Sequence, residues 1–162
     1  MKIVLFDWGD TLMVDTPNQT GKMRFWDQVQ AVSGAKQTLA LLSQEHRIFV
    51  ATNAVDSSVE DVKIAFDRVE LSNYIEGYFC KDNLGVGKGS SHFFQAILQT
   101  LSVDATQVTM IGDSLENDIF PAQQLGIEAI WFNPSAQPYS NEAAVKQISR
   151  LTDLGSLLYS TR

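Results

Sequence analysis

Asp7, Thr52, Lys88, Asp113 and Asp118 are the side chains whose types suit work on a phosphoryl group. Asp7 ends the apolar run Ile3-Val4-Leu5-Phe6 and is followed at once by Trp8-Gly9-Asp10-Thr11-Leu12, so a strand would deliver its carboxylate into a turn. There it can act as a nucleophile toward phosphorus or as a hard oxygen ligand for Mg²⁺. Thr52, with Asn53 beside it, ends Val50-Ala51-Thr52-Asn53, and Lys88 lies in Gly85-Val86-Gly87-Lys88-Gly89-Ser90. Asp113 follows Ile111-Gly112, with Asp118 five residues on. A hydroxyl, a cation and several carboxylates converging at one sheet edge suit phosphoryl transfer. A metal and Lys88 would neutralise the equatorial oxygens while Thr52 and backbone amides orient them.

Such convergence requires a parallel sheet, whose ligands collect beyond the carboxyl ends of its strands. The pattern supplies one, because strand-like and helix-like segments alternate. Strands are predicted near Lys2–Asp7, Arg47–Thr52, Gly77–Cys80, Gln107–Gly112 and Glu128–Phe132. Ser33 and Gly34 open a first helix carrying Leu39, Leu41 and Leu42, and Ser57 or Ser58 caps a second through Val59, Val62, Ile64 and Phe66. Ser90 or Ser91 starts a third with Phe93, Phe94, Ile97, Leu98 and Leu101, and a fourth spans about Glu116 to Leu125 before Gly126. The tail from Asn141 to Leu158 adds a helix, a short strand near Gln147–Ser149 and a last helix.

These residues resemble the four motifs of the haloacid dehalogenase-like hydrolase superfamily, in order, over roughly residues 3 to 133. The resemblance implies an α/β fold, a Rossmann-like three-layer sandwich around a central, mostly parallel sheet. It makes Asp7 the nucleophile of a phosphohydrolase working through a phosphoaspartyl intermediate. Thr52 and Asn53 would bind substrate, and Lys88 would hold the phosphoryl group and shield Asp7. Mg²⁺ would lie between Asp7, the backbone carbonyl of Gly9 and Asp113, with Asp118 in support. Gly9 departs from the pattern, since the phosphatases of this family usually carry there the Asp that protonates the leaving oxygen and then activates water. Asp10 either takes over that role or, as turn Asp residues do, hydrogen-bonds nearby backbone amides. Family branches lacking this Asp include phosphonate hydrolases, dehalogenases and ion-pumping ATPases.

The second departure is the absence of room for a cap domain, since only Met13 to Val32 separate the first motif from the first helix. Residues 1–162 are therefore expected to form one domain with a short loop at 13–32, which carries Lys22, Arg24, Phe25 and Trp26. These four either contact substrate beyond its phosphate or divide plainly, Phe25 and Trp26 packing on the first helix and Lys22 and Arg24 lying in solvent.

Composition bounds the alternatives. With 162 residues, 44% hydrophobic and 19% charged, the chain can bury roughly 70% of its unfolded surface. The formal charge of −7 disfavours nucleic acid as a partner, because backbone binding needs clustered Lys and Arg. The N-terminal apolar stretch is too short for a signal peptide or a membrane span, which implies a cytoplasmic protein acting on a phosphorylated substrate. Cys80 is alone and reads as a buried apolar side chain, while His46 and His92 lack metal-site spacing. The nucleotide-loop consensus fails where Asp82 and Gly89 stand. A signalling receiver domain would place its phosphorylated Asp after the third strand, where Cys80 stands. A phosphate-ligand or protein-binding module with little turnover is the other alternative, and Gly9 is its motive.

Overall fold

A computed structural model describes residues 1–139 and 145–159. Six strands form one sheet, β1 (Ile3–Phe6), β2 (Arg47–Ala51), β3 (Gly77–Phe79), β4 (Val108–Gly112), β5 (Glu128–Phe132) and β6 (Lys146–Ile148), in the order β3-β2-β1-β4-β5-β6. Every pairing is parallel, so the sheet is wholly rather than mostly so. β1 lies at the centre, with Phe6 opposite Val50 on one side and Ile111 on the other. The chain runs outward to β3 and then returns to β4 across β1, which puts the topological switch point between β1 and β4.

Both faces of the sheet are covered, which is why the central strands are continuous apolar runs rather than alternating ones. Val4 and Phe6 face α1 (Ala35–Leu42), α2 (Val59–Asp67) and α6 (Leu154–Tyr159) through Leu39, Leu42, Val62, Phe66 and Leu158. Ile3 and Leu5 face α4 (Ser91–Leu101) through Phe93, Phe94 and Ile97. Leu41, expected in the first apolar stripe, is instead 44% exposed. The i, i+3 pair Leu39 and Leu42 occupies the buried face, and position 41 turns away from it. Ser58 caps α2, accepting from the Asp61 amide at 3.2 Å while Asp61 accepts from the Ser58 amide at 2.9 Å. Cys80 is buried, as expected.

Three differences from the sequence pattern concern the site edge. A one-turn helix, α3 (Lys81–Leu84), follows β3 and was too short to leave a periodicity. The fourth helix is not continuous: a π-helical turn, Leu115–Ile119, leads into the short α5 (Phe120–Gln123). Pro121 offers no amide hydrogen, and the widened turn just before it has the Asp118 and Ile119 amides both donating to the Ser114 carbonyl, at 2.9 and 3.3 Å. β6 begins one residue earlier than predicted, and the helix expected from Asn141 lies outside the described residues apart from its end. No helix among the described residues is long and apolar enough to cross a membrane.

The loop between β1 and α1 is fastened at several points. Met13 is buried and bridges Gly9 and Ala31, and the Val14 amide donates to the Gln30 carbonyl at 2.8 Å. Arg68, just after α2, donates to the carbonyls of Met23, Arg24 and Trp26. Lys22 and Arg24 are not simply solvated: both pair with Asp61, at 2.7 and 2.8 Å. Those bonds, the Lys22 one foremost, hold the Asp61 carboxyl well below the usual carboxylate range. Trp26 is buried as expected, whereas Phe25 is 71% exposed beneath the Arg24 guanidinium, 4.8 Å from its ring centre. No separate cap stands over the sheet edge among the described residues.

Candidate active site

The carboxyl ends of β1 and β4 bring Asp7 and Asp113 side by side. The Asp7 amide still donates to the Ile111 carbonyl at 2.9 Å, so the sheet pairing extends to the residue that carries the carboxylate. Lys88 reaches in from the loop before α4, its side chain only 2% exposed, and donates to Asp7 Oδ1 and Asp118 Oδ1, each at 2.6 Å. The Thr11 hydroxyl lies between the two strand-end acids, 3.2 Å from Asp7 Oδ2 and 3.3 Å from Asp113 Oδ1. With one proton it can donate to one of them at a time. The indole of Trp131 on β5 donates to the Asp113 carbonyl at 3.0 Å and fixes that turn.

Asp118, implied as a supporting residue, is buried against Lys88. The π-helical turn points it back over β4, where Oδ2 accepts from the Ser114 amide at 3.2 Å. A Cβ on Gly112 would lie 2.2 Å from that same oxygen and 2.4 Å from Cγ, so only glycine leaves the carboxylate its place. Gly112→Ala must displace Asp118 from Lys88. We expect it to lower unfolding stability by about 1–3 kcal/mol, the usual scale for forcing extra atoms into a packed site. Urea denaturation checks this, and unchanged stability would mean that Asp118 can move freely.

One ammonium pairs with two carboxylates, and a third, Asp113, stands close to both acids. Burial works to lower the Lys88 pKa, but the charges of Asp7 and Asp118 outweigh it and the pKa is raised. Asp113 is pushed up to about 8, by burial first, then by its hydrogen bond to Asp7 and the charges of Asp7 and Asp118. Asp118 is pushed up to about 6 by burial and by Asp7, against the pull of Lys88. One oxygen from each of Asp7, Asp113 and Asp118 falls within 4.8 Å of the others, a set of hard donors of excess negative charge that fits Mg²⁺ or Mn²⁺.

A pH prediction follows. Acids whose pKa is raised on folding bind protons better folded than unfolded, so their stabilisation is present below the unfolded value near 3.8 and is lost as pH rises through about 6 and then about 8. The metal-free protein is therefore expected to lose stability between pH 5 and pH 8. Added Mg²⁺ is expected to oppose that loss with an affinity that grows over the same window, because binding must release those protons. Denaturation midpoints at several pH values, with chelator or with Mg²⁺, test both signs. A metal-free midpoint that rises with pH removes the assignment.

Thr52 ends β2 and is buried, its hydroxyl oxygen accepting from the Ala54 amide at 3.2 Å. Asn53 is exposed, and its side-chain oxygen would lie 3.2 Å from a Cβ on Gly87, across the Lys88 loop. Thr52, Asn53 and Gly9 share a cleft of about 230 Å³ with Trp8, Asp15 and Lys22. Asp10 is exposed and adopts a left-handed conformation, φ 58°, with Oδ1 accepting from the Asp15 amide at 3.0 Å. That bond is of the kind the turn alternative describes. Sequence reasoning quoted Thr11 without giving it a task, although its place after Asp10 was a signal. It gave Trp131 and Asp15 no place at all.

Comparisons with known proteins identify the family. The profile of the haloacid dehalogenase-like hydrolase family matches residues 18–126. The ribulose-1,5-bisphosphate 5-phosphatase of Halopiger xanaduensis is 28% identical over 120 residues, 74% of this chain and 49% of that protein. The pyrimidine 5'-nucleotidase PynA of Streptococcus pneumoniae is 31% identical over 109 residues, 66% of this chain and 45% of that protein. The chain thus spans about half the length of the curated relatives it matches. A crystal structure from Listeria monocytogenes serotype 4b superposes with a TM-score of 0.83 at 24% identity, covering 98% of this chain and 97% of that one. With the family profile matching well over half of its length, the chain belongs to the haloacid dehalogenase-like hydrolase family.

Proposed function

We propose that the protein is a Mg²⁺-dependent phosphohydrolase that cleaves a phosphate ester through a phosphoaspartate on Asp7. The observation that carries this reading is the Asp7 carboxylate at the sheet's switch point, held by Lys88 and beside Thr11 within a cluster of acids. Phosphatase and nucleotidase relatives support it. Held by two partners, the Asp7 carboxylate is oriented before substrate arrives, which lowers the entropic part of the barrier. Lys88 lies against Asp7 and partly cancels its charge, so that an anionic phosphoryl group can approach. Asp118 keeps the Lys88 ammonium protonated and aimed. The Thr52 hydroxyl, accepting from the Ala54 amide, keeps its own proton for a phosphoryl oxygen. Mg²⁺, held by Asp7, Asp113 and the Gly9 carbonyl, would supply further charge neutralisation at the phosphoryl oxygens.

The side chain absent at Gly9 favours a second reading, a phosphate-ligand or protein-binding module with negligible turnover. Steady-state kinetics on a panel of aryl, acyl and alkyl phosphates, with Mg²⁺ or with chelator, separates the two. Mg²⁺-dependent release of phosphate from at least one class is expected. Binding of inorganic phosphate without hydrolysis of any ester would establish the binding module.

A further inference from the structure

The space left empty by Gly9 is faced by another carboxylate. A Cβ built on Gly9 would lie 3.5 Å from Cβ, 3.8 Å from Cγ and 3.7 Å from Oδ2 of Asp15, ordinary contact distances. The Asp15 side chain thus borders the point from which a side chain at position 9 would project. It also lines the cleft shared by Gly9, Thr52 and Asn53. Its loop is held in place: the Asp15 amide donates to Asp10 Oδ1 at 3.0 Å, the Asp10 amide donates to the Met13 carbonyl at 2.6 Å, and Met13 bridges Gly9 and Ala31. Among other acids nearby, Asp61 is committed to Lys22 and Arg24, and Asp56 accepts from the Ser57 hydroxyl at 3.3 Å.

We propose that Asp15, delivered by the loop between β1 and α1, is the catalytic acid and base of this site. The assignment rests on the phosphohydrolase reading above. In the first step an Asp7 oxygen bonds to phosphorus and the bond from phosphorus to the ester oxygen breaks. The departing oxygen keeps the electron pair and takes the proton of the Asp15 carboxyl, leaving as the alcohol. In the second step the Asp15 carboxylate takes a proton from water as the water oxygen bonds to phosphorus. The bond from phosphorus to Asp7 breaks, its electron pair returns to the Asp7 carboxylate, and phosphate departs with Asp15 protonated again. Asp10 is then a positioning residue, acting through the Asp15 amide.

The test compares alkyl and aryl phosphates with the full chain in Mg²⁺. Asp15→Asn is expected to lose about 10²–10⁴-fold in kcat on alkyl phosphates and less than about tenfold on aryl phosphates, whose leaving oxygen needs little protonation. Acid-quenched phosphoenzyme should accumulate in Asp15→Asn supplied with an aryl phosphate, because dephosphorylation of Asp7 lacks its base. Asp56→Asn, altered in the same cleft, should keep the alkyl rate. Gly9→Asp combined with Asp15→Ala should regain alkyl turnover relative to Asp15→Ala alone. Gly9 is outside the left-handed region, so the added side chain costs no backbone strain. Equal loss on both substrate classes, with no phosphoenzyme, would make Asp15 structural and overturn the proposal. An alkyl-selective loss in Asp10→Asn instead, which keeps the acceptor for the Asp15 amide, would transfer the role to Asp10. A wild type that hydrolyses no ester removes the phosphohydrolase reading together with this role, whereas wild-type turnover untouched by Asp15→Asn removes the role alone.

Discussion

Asp7→Asn is expected to lower turnover by on the order of 10⁴-fold or more while leaving the protein folded. Removing a nucleophile leaves only binding and electrostatics to act on the substrate, and losses of that scale are usual. The fold should tolerate the change because the amide keeps the carboxylate's shape and its oxygen can still accept from Lys88 or Thr11. The electrostatics point the same way. Asp7 raises the pKa of Asp113 and of Asp118, so its neutralisation relieves repulsion among the acids, and Lys88 retains Asp118 as its ion pair. A metal-free denaturation midpoint equal to or above wild type at pH 8 should accompany the loss of turnover. Beryllium fluoride, which mimics the phosphoryl group on a carboxylate, should bind the wild type and not the variant. A variant with wild-type turnover would end the covalent mechanism.

What could be read from the sequence divides by the range of the signal. β1, β2, β4 and β5 announce themselves as short, mainly apolar runs, and the acids that close β1 and β4 stand one residue past them. Lys88 stands out as the cation in the glycine-rich loop that follows β3, and the resemblance gives it the same place. Longer-range facts were invisible. Lys22 and Asp61 meet across 39 positions, and no composition or period in the loop reports that its two cations cap the α2 start rather than lie in solvent. Asp118 stands five residues past Asp113, and the resemblance implies a supporting place for it. The π-helical turn before Pro121 sends it back over Gly112. Asp15 was missed for a related reason: a loop acid gains meaning only from the empty position it faces.

The centre of the site sets the second large effect, Lys88→Met. Methionine fills most of the volume of the lysine stem, so the change removes a charge more than it opens a cavity. Asp7 and Asp118 are then left beside each other and Asp113 with no ammonium between them, and a buried charge stripped of its partner typically costs about 3–5 kcal/mol. The protein has one way to reduce that cost, which is to take up protons. Without Lys88, Asp118 loses the charge that lowers its pKa and is raised further on folding, so the deficit should be small at pH 5 and should grow as pH rises to 8. Mg²⁺ should recover part of the stability at pH 8, since a divalent cation can neutralise the same carboxylates. Urea denaturation at pH 5 and pH 8, each with chelator and with Mg²⁺, yields four values whose order decides the matter. A deficit equal at both pH values and indifferent to Mg²⁺ would show that Lys88 contributes packing alone. The predicted order would instead make the lysine the counter-charge that lets three carboxylates stand at one sheet edge before any metal or phosphate arrives.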